Sequence, residues 1–205
     1  MEYMKSLPDN VFDLAIVDPP YFEQYGKKGY TGSVVSSTGV KRISTDIKHW
    51  DVPDERYFNE LFRVSKNQII WGCNYYAKHI PHVGRIVWDK QNESSTFSKC
   101  ELASHSFGVI VEKFTFMWNG MLQGDMKNKE ARIHPTQKPT ALYKWLLNKY
   151  AKQGDRILDT HLGSGSSAIA AHYGGFDFVG CELDGDYYNA AVKRFENETA
   201  QASMF

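Results

Sequence analysis

Apolar and polar positions along the chain alternate between strand-like and helix-like patterns. The apolar run Phe12–Val17 reads as a strand buried on both faces, and it stops abruptly at Asp18-Pro19-Pro20-Tyr21. Prolines cannot donate to a sheet ladder, and Pro19 keeps Asp18 extended, so the Asp18 carboxylate is expected to project past the sheet edge. Open α/β sheets bind ligands there. A helix is expected to begin near Pro53, with Asp51 as its cap and Tyr57, Phe58, Leu61 and Phe62 on one face. Residues 68–72 and 85–88 read as short strands around a helical turn near Tyr75. Residues 102–110 and 114–118 read as two more strands, paired with each other across Glu112-Lys113. A helix over 139–149 places Leu142, Tyr143, Leu146, Leu147 and Tyr150 on one side. The C-terminal third reads as strand Arg156–Asp159, a Gly/Ser loop, helix 166–173, strand 177–182 and helix 185–195. This βαβα unit implies a parallel sheet with a right-handed crossover. Segment 22–51 is rich in Gly, Ser, Thr and Lys with little periodicity, as functional loops of that length often are. Residues 199–205 read as a loose tail.

Composition narrows the class. A chain of 205 residues, 42% hydrophobic, suits one domain with one sizeable core. Lys plus Arg equals Asp plus Glu at 24 each, so a nucleic-acid partner would have to be met by local charge. Two stretches concentrate it: Lys27, Lys28, Lys41, Arg42 and Lys48 face only Glu23 and Asp46, and Lys127, Lys129, Arg132 and Lys138 face only Asp125 and Glu130. Ordinary solvated loops would look the same on charge alone. Cys73, Cys100 and Cys181 are isolated and no signal peptide precedes them, which points to a reduced, cytoplasmic protein. His79 and His82 are the one close histidine pair and lack completing ligands, so no metal site is expected. No apolar run reaches the roughly 20 residues of a membrane span.

The strand–loop–helix passage DTHLGSGSS, Asp159 to Ser167, is where a nucleotide-like ligand would meet helix N-terminal amides. Gly163 and Gly165 allow the tight turn and close approach. Glu182 ends the next strand, placed to accept hydrogen bonds from ribose hydroxyls. The loop also reads as G-x-G-x-x-A ending at Ala168, which leaves a nicotinamide dehydrogenase as a rival. Against it, Asp159 at the strand end would oppose a pyrophosphate but could pair with an amino group. Few residues follow Glu182, so the remaining strands must come from the N-terminal part, as in a permuted chain.

DPPY (Asp18 to Tyr21), HPTQKP (His134 to Pro139), DTHLGSGSS and GCELD (Gly180 to Asp184) together resemble the S-adenosylmethionine-dependent DNA amino-methyltransferases, the N6-adenine/N4-cytosine family. WGCNYY from Trp71, WDK at Trp88 to Lys90 and CELA from Cys100 are weaker echoes. Catalytic motif before cofactor loop is the family's β-class order. The resemblance implies a Rossmann-like class I methyltransferase fold: α/β, doubly wound, mostly parallel with an antiparallel strand pair, circularly permuted. The expected single domain spans 1–205, with a catalytic half (1–118), a recognition loop (119–133) and a cofactor-binding half (134–198).

The implied reaction is methyl transfer to the N6 amine of a flipped adenine in duplex DNA. Asp18 and the Pro19 carbonyl would accept the amine N–H bonds, Pro20 would shape the pocket and Tyr21 would stack on the base. Cofactor contacts are expected from Gly163, Gly165, Ser166 and Ser167, from Asp159 to the amino group and from Glu182 to the ribose. His134, Thr136 and Lys138 come from HPTQKP, the last two reaching the carboxylate; Asp184 is expected to cap the last helix. Alternatives are N4-cytosine, RNA or protein-amide acceptors, or a non-catalytic DNA-binding module. A homodimer and a cognate restriction enzyme are the expected partners besides DNA. In the family a strand ending in Gly-Asp precedes DPPY, whereas residues 1–10 resemble only the helix that follows it. Recognition is left to 119–133, to 22–51 or to a second subunit.

Overall fold

The computed structural model describes residues 1–21, 50–93, 98–119 and 122–200. The expected basic cluster of Lys27, Lys28, Lys41, Arg42 and Lys48 lies outside them, as do residues 201–205 of the expected tail.

The elements run α1 (Glu2–Lys5), β1 (Phe12–Val17), α2 (Glu55–Val64), β2 (Ser65–Trp71), β3 (Gly84–Asp89), β4 (Cys100–His105), β5 (Val111–Thr115), β6 (Trp118–Asn119), β7 (Leu122–Gln123), α3 (Thr140–Tyr150), β8 (Arg156–Asp159), α4 (Ser166–Gly174), β9 (Asp177–Gly180) and α5 (Gly185–Ala200). Seven strands form one sheet in the order β5-β3-β4-β2-β1-β8-β9, and β6-β7 make a separate two-stranded ribbon. Within the large sheet every pairing is parallel except those of β4, which runs antiparallel to β2 and β3. The result is a doubly wound, Rossmann-like sheet whose centre is built from both ends of the chain, the permuted arrangement expected.

Two apolar layers cover the sheet. On one face Leu14, Ile16, Ile69 and Trp71 pack with Leu142, Leu146 and Leu147 of α3. On the other, Ala15, Val17 and Ile70 pack with Tyr57, Phe58, Leu61 and Val64 of α2, with Phe62 partly buried beside them. The period-two alternation of central strands meets the longer period of the helices, so each strand is buried on both sides. The Tyr57 hydroxyl and the Thr160 hydroxyl, 2.7 Å apart, tie α2 to the end of β8.

Three expectations change. Asp54, not Asp51, is the N-cap of α2: it is extended, and its carboxylate accepts from Arg56 N and Tyr57 N. β4 and β5 are not paired with each other, because β3 lies between them. Glu112 and Lys113, which read as a turn, sit inside β5, where Lys149 pairs with Glu112 at 2.9 Å and Lys113 with Asp89 at 2.8 Å. The turn comes earlier, around Gly108 at φ +127°. α5 also continues through Ala200, beyond the expected end near Phe195.

The Asp54 cap carries a prediction. Asp54→Ala removes the acceptor for two helix N–H groups and should lower stability by about 1 kcal/mol in urea denaturation; a midpoint equal to that of the parent chain would contradict the assignment.

Candidate active site

β1 and β8 are neighbours at the centre of the sheet, and the chain leaves them in opposite directions, β1 towards β2 and β8 towards β9. That makes a topological switch point, where a crevice opens beyond the carboxyl ends of the strands. Asp18 follows β1 and Asp159 ends β8, so both acids stand at this crevice.

Around Asp18 the packing is aromatic. The Tyr21 hydroxyl donates to Asp18 Oδ1 at 2.6 Å, and its ring stacks on Tyr75 at 4.8 Å between centroids. Gly72 makes room for that ring: at φ +69°, a Cβ there would lie 2.0 Å from Tyr21 Cε1. The Tyr76 hydroxyl donates to the Pro20 carbonyl and sits 3.4 Å from that of Pro19. In the sequence WGCNYY is only a weak echo with no role for Gly72, Tyr75 or Tyr76, and its run of glycine and aromatics is the signal that marks them.

Lys138 is buried rather than part of an exposed basic stretch. Its residue is 5% exposed, and its ammonium pairs with Asp18 Oδ2 and, at 2.9 Å, with Glu101 Oε2. Lys90 pairs with the other oxygen of Glu101. Burial alone would favour neutral Lys138, but the facing Asp18 and Glu101 carboxylates outweigh it and hold the ammonium charged. Burial likewise opposes the charge on Glu101, yet Lys138 and Lys90 bring it down to about 2. Glu101 and Lys90 lie in the CELA and WDK echoes, which had no role assigned. Antiparallel β4 explains the meeting: Trp88 pairs with Glu101 in register, so the start of β4 lies beside the end of β3.

The glycine loop is built for close approach. Gly163 and Gly165 both have positive φ, 53° and 74°, and Gly165 caps α4 from the left-handed region. The Glu182 carboxylate accepts from Gly163 N at 2.8 Å and from Asp184 N at 3.0 Å. Asp184 accepts from Asp186 N and Tyr187 N, the helix cap expected of it. Asp159 is 2% exposed and accepts from Ser167 Oγ at 2.6 Å and from His161 N at 3.0 Å. Burial outweighs those two bonds and raises its carboxyl to about 7. A buried acid with no cation beside it among the described residues, at a positive-φ loop, suits a cationic ligand group and opposes a pyrophosphate. Ser166 instead turns inward: its hydroxyl donates to the Lys138 carbonyl at 2.8 Å and accepts from Arg194. His134 lies against this loop, its ring 3.6 Å from where a Gly163 Cβ would be. It stacks with Trp50 and meets Tyr187 edge-on, while Thr136 bonds its Nδ1 at 3.1 Å.

The described part of the expected recognition segment starts in the β6-β7 ribbon and continues from 124 to 133 as a loop held by side chains. The Gln123 side chain bonds both backbone groups of Glu130, and the Asp125 carboxylate caps the turn at Lys127 N and Asn128 N. Glu130 points inward, accepting from Thr140 and pairing with Arg194 at 2.7 Å. Met126, Lys127, Asn128 and Lys129 are left exposed, and Arg132 lies over the Trp118 ring at 4.9 Å. Among the described residues no helix is long and apolar enough to cross a membrane.

Comparison with known proteins bears on this crevice. A family model for DNA methylases of the N6/N4 type matches residues 111–193. The Type II methyltransferase M2.DpnII of Streptococcus pneumoniae is 25% identical across 96% of this chain and 87% of its own. Among solved structures, the M1.HpyAVI–SAM complex superposes with a TM-score of 0.53 at 18% identity, over 94% of this chain and 91% of that one. The cytosine-N4-specific PvuII DNA methyltransferase superposes with a TM-score of 0.56 at 11% identity, over 96% and 86%. At those identities the solved structures speak to the fold.

The crevice also sets a pH dependence. Burial holds His134 and His161 near 4, against 6.5 for an unperturbed ring, and lowers His82 as well. These rings stay neutral in the folded chain where unfolded histidines are charged, so they cost stability as pH falls from 6.5 towards 4. Asp159 acts with the opposite sign, staying protonated up to about 7 when folded, against 3.8 for an unperturbed aspartate. The histidines outnumber it, and stability should fall with pH across that window. His161→Gln should flatten the slope by up to about 1.4 kcal/mol per pH unit, measured by urea titration between pH 6 and 4.5; an unchanged slope would contradict the buried neutral ring.

Proposed function

We propose that the chain is an S-adenosylmethionine-dependent DNA amino-methyltransferase of the N6/N4 kind and that it methylates the N6 amine of an adenine flipped out of duplex DNA. The observation that carries this reading is Asp18: an ion-paired carboxylate at the switch point, held by Tyr21 beside an aromatic stack and joined through Lys138 to the glycine loop.

Bound S-adenosylmethionine supplies the electrophilic methyl group. The residues of the crevice fit it: Asp159 offers a buried acid for the ammonium, Glu182 keeps lone pairs free for ribose hydroxyls, and Gly163 and Gly165 admit the ligand to the backbone. His134 and Thr136 border the same side. Asp18 and the Pro19 carbonyl accept the two N–H bonds of the incoming amine, drawing its lone pair out of conjugation with the ring and towards the methyl group. Asp18 would face the positive charge that develops on the amine nitrogen, and the proton given up by the methylated amine would leave to solvent. The aromatic stack of Tyr21 on Tyr75 supplies an apolar wall for an extruded base. Lys127, Asn128, Lys129 and Arg132 of the loop contact the duplex in this reading, and the protein acts in the cytoplasm.

Incubation with duplex DNA and methyl-labelled S-adenosylmethionine should label adenine, identified by mass spectrometry of digested nucleosides. Label on cytosine would move the acceptor to the N4 amine, and label absent from DNA would overturn the reading. Asp18→Ala should lower the rate by at least about 100-fold while the cofactor still binds; full transfer by that variant would remove Asp18 from the chemistry.

Asp159 gives a second test. An acid that titrates at about 7 in the unliganded chain must ionise to pair with the ammonium, so binding releases a proton below that pH. Cofactor affinity, followed by calorimetry, should rise by up to about tenfold per unit from pH 5 to 7 and be flat in Asp159→Asn. A flat profile in the parent chain would place the ammonium elsewhere.

A further inference from the structure

We propose that Lys138 is a positioning residue for the Asp18 carboxylate, a role distinct from holding the cofactor. The inference rests on the methyl-transfer reading and deepens it. Both Asp18 oxygens already have donors: Tyr21 Oη at 2.6 Å on Oδ1 and the Lys138 ammonium on Oδ2. A carboxylate has about four lone-pair sites, so two remain for an incoming amine, in directions fixed by the two donors. Without the ammonium, Asp18 would keep only the tyrosine and could turn about its own side-chain bonds.

Lys138 is itself held from every side. Its carbonyl accepts from Ser166 Oγ at 2.8 Å, the first residue of the helix after the glycine loop. The preceding carbonyl, of Gln137, accepts from Trp118 Nε1 at 2.8 Å. The ammonium lies 5.4 Å from the Trp71 ring, and Glu101, anchored by Lys90, takes a second contact at 2.9 Å. Such a network is a poor stabilising device, since buried ion pairs seldom repay their desolvation and apolar replacements often fold as well. What it provides is a fixed point: one residue sets the distance between the cofactor loop, through its backbone, and the amine-accepting carboxylate, through its side chain. Displacement by about 1 Å can cost about 100-fold in rate, so a positioning role predicts a loss in turnover with cofactor affinity kept.

The test compares Lys138→Met and Lys138→Arg with the parent chain, each checked for folding by thermal melting. At saturating S-adenosylmethionine, Lys138→Met should lose about 100-fold in kcat with a cofactor Kd, by calorimetry, within about threefold of the parent. Lys138→Arg, which restores a cation, should recover most of that loss; if Lys138→Met does not fold, Lys138→Arg is read alone, expected to keep cofactor affinity and lose part of kcat. Preserved kcat with cofactor affinity weakened tenfold or more in either variant would make Lys138 a cofactor ligand and overturn the proposal. Should the parent chain itself transfer no methyl group, the functional reading fails separately. Crystal structures of the variants still decide the positioning role: an Asp18 side chain that moves or splits between rotamers supports it, and an unmoved one overturns it.

Discussion

The Lys138 ammonium lies out of water among Asp18, Glu101 and the face of Trp71, and a charge in that position requires partners on several elements at once. Those partners dictate much of the architecture. Asp18 must follow the central strand β1. Glu101 must reach the same edge, which it does because β4 runs antiparallel and begins where its neighbours end. Lys90, leaving β3 beside it, completes the charge balance. Antiparallel β4 is thus the feature that lets an acid from the far side of the large sheet stand beside the Asp18 carboxylate.

The two sides of the crevice differ in how their acids are satisfied. Asp18 and Glu101 face ammonium groups, whereas Asp159 and Glu182 are held by hydroxyl and amide donors with no cation among the contacts described here. The first pair is electrostatically complete and geometrically fixed. The second retains a demand for positive charge, visible in the raised Asp159 carboxyl. In the proposed reaction, a cofactor bearing an ammonium and a sulfonium would meet that demand, while an uncharged exocyclic amine would need only the acceptor sites left open on Asp18.

Much of this was legible in the chain wherever structure is local. β1 and β8 coincide with their apolar runs, and Gly163 and Gly165 adopt the positive φ that their loop requires. Misreadings arose where tertiary contacts decide. Asp51 and Asp54 are equally good caps by composition, and only the backbone path selects Asp54. Glu112-Lys113 resembles a turn until partners on α3 and β3 absorb both charges and leave it inside an edge strand. Lys138 and Glu130 look like surface charges because nothing near them in sequence announces Asp18, Glu101 or Arg194. Pairing between distant segments is invisible to periodicity.

Glu130 extends the same logic to the face that would meet DNA. Through its inward contacts with Thr140 and Arg194, the base of the 124–133 loop is tied to the start of α3 and to α5. Arg194 also bonds Ser166, the residue that holds the Lys138 carbonyl. The exposed turn at Lys127 to Lys129 is therefore mounted, through a continuous chain of hydrogen bonds, on the segment that fixes Asp18. In the proposed reaction, a base presented against this loop would be referenced to the same frame as the Asp18 carboxylate. Preorganisation of that kind would limit how far a duplex can shift once its backbone is held, and it needs no contact between the loop and the reacting atoms.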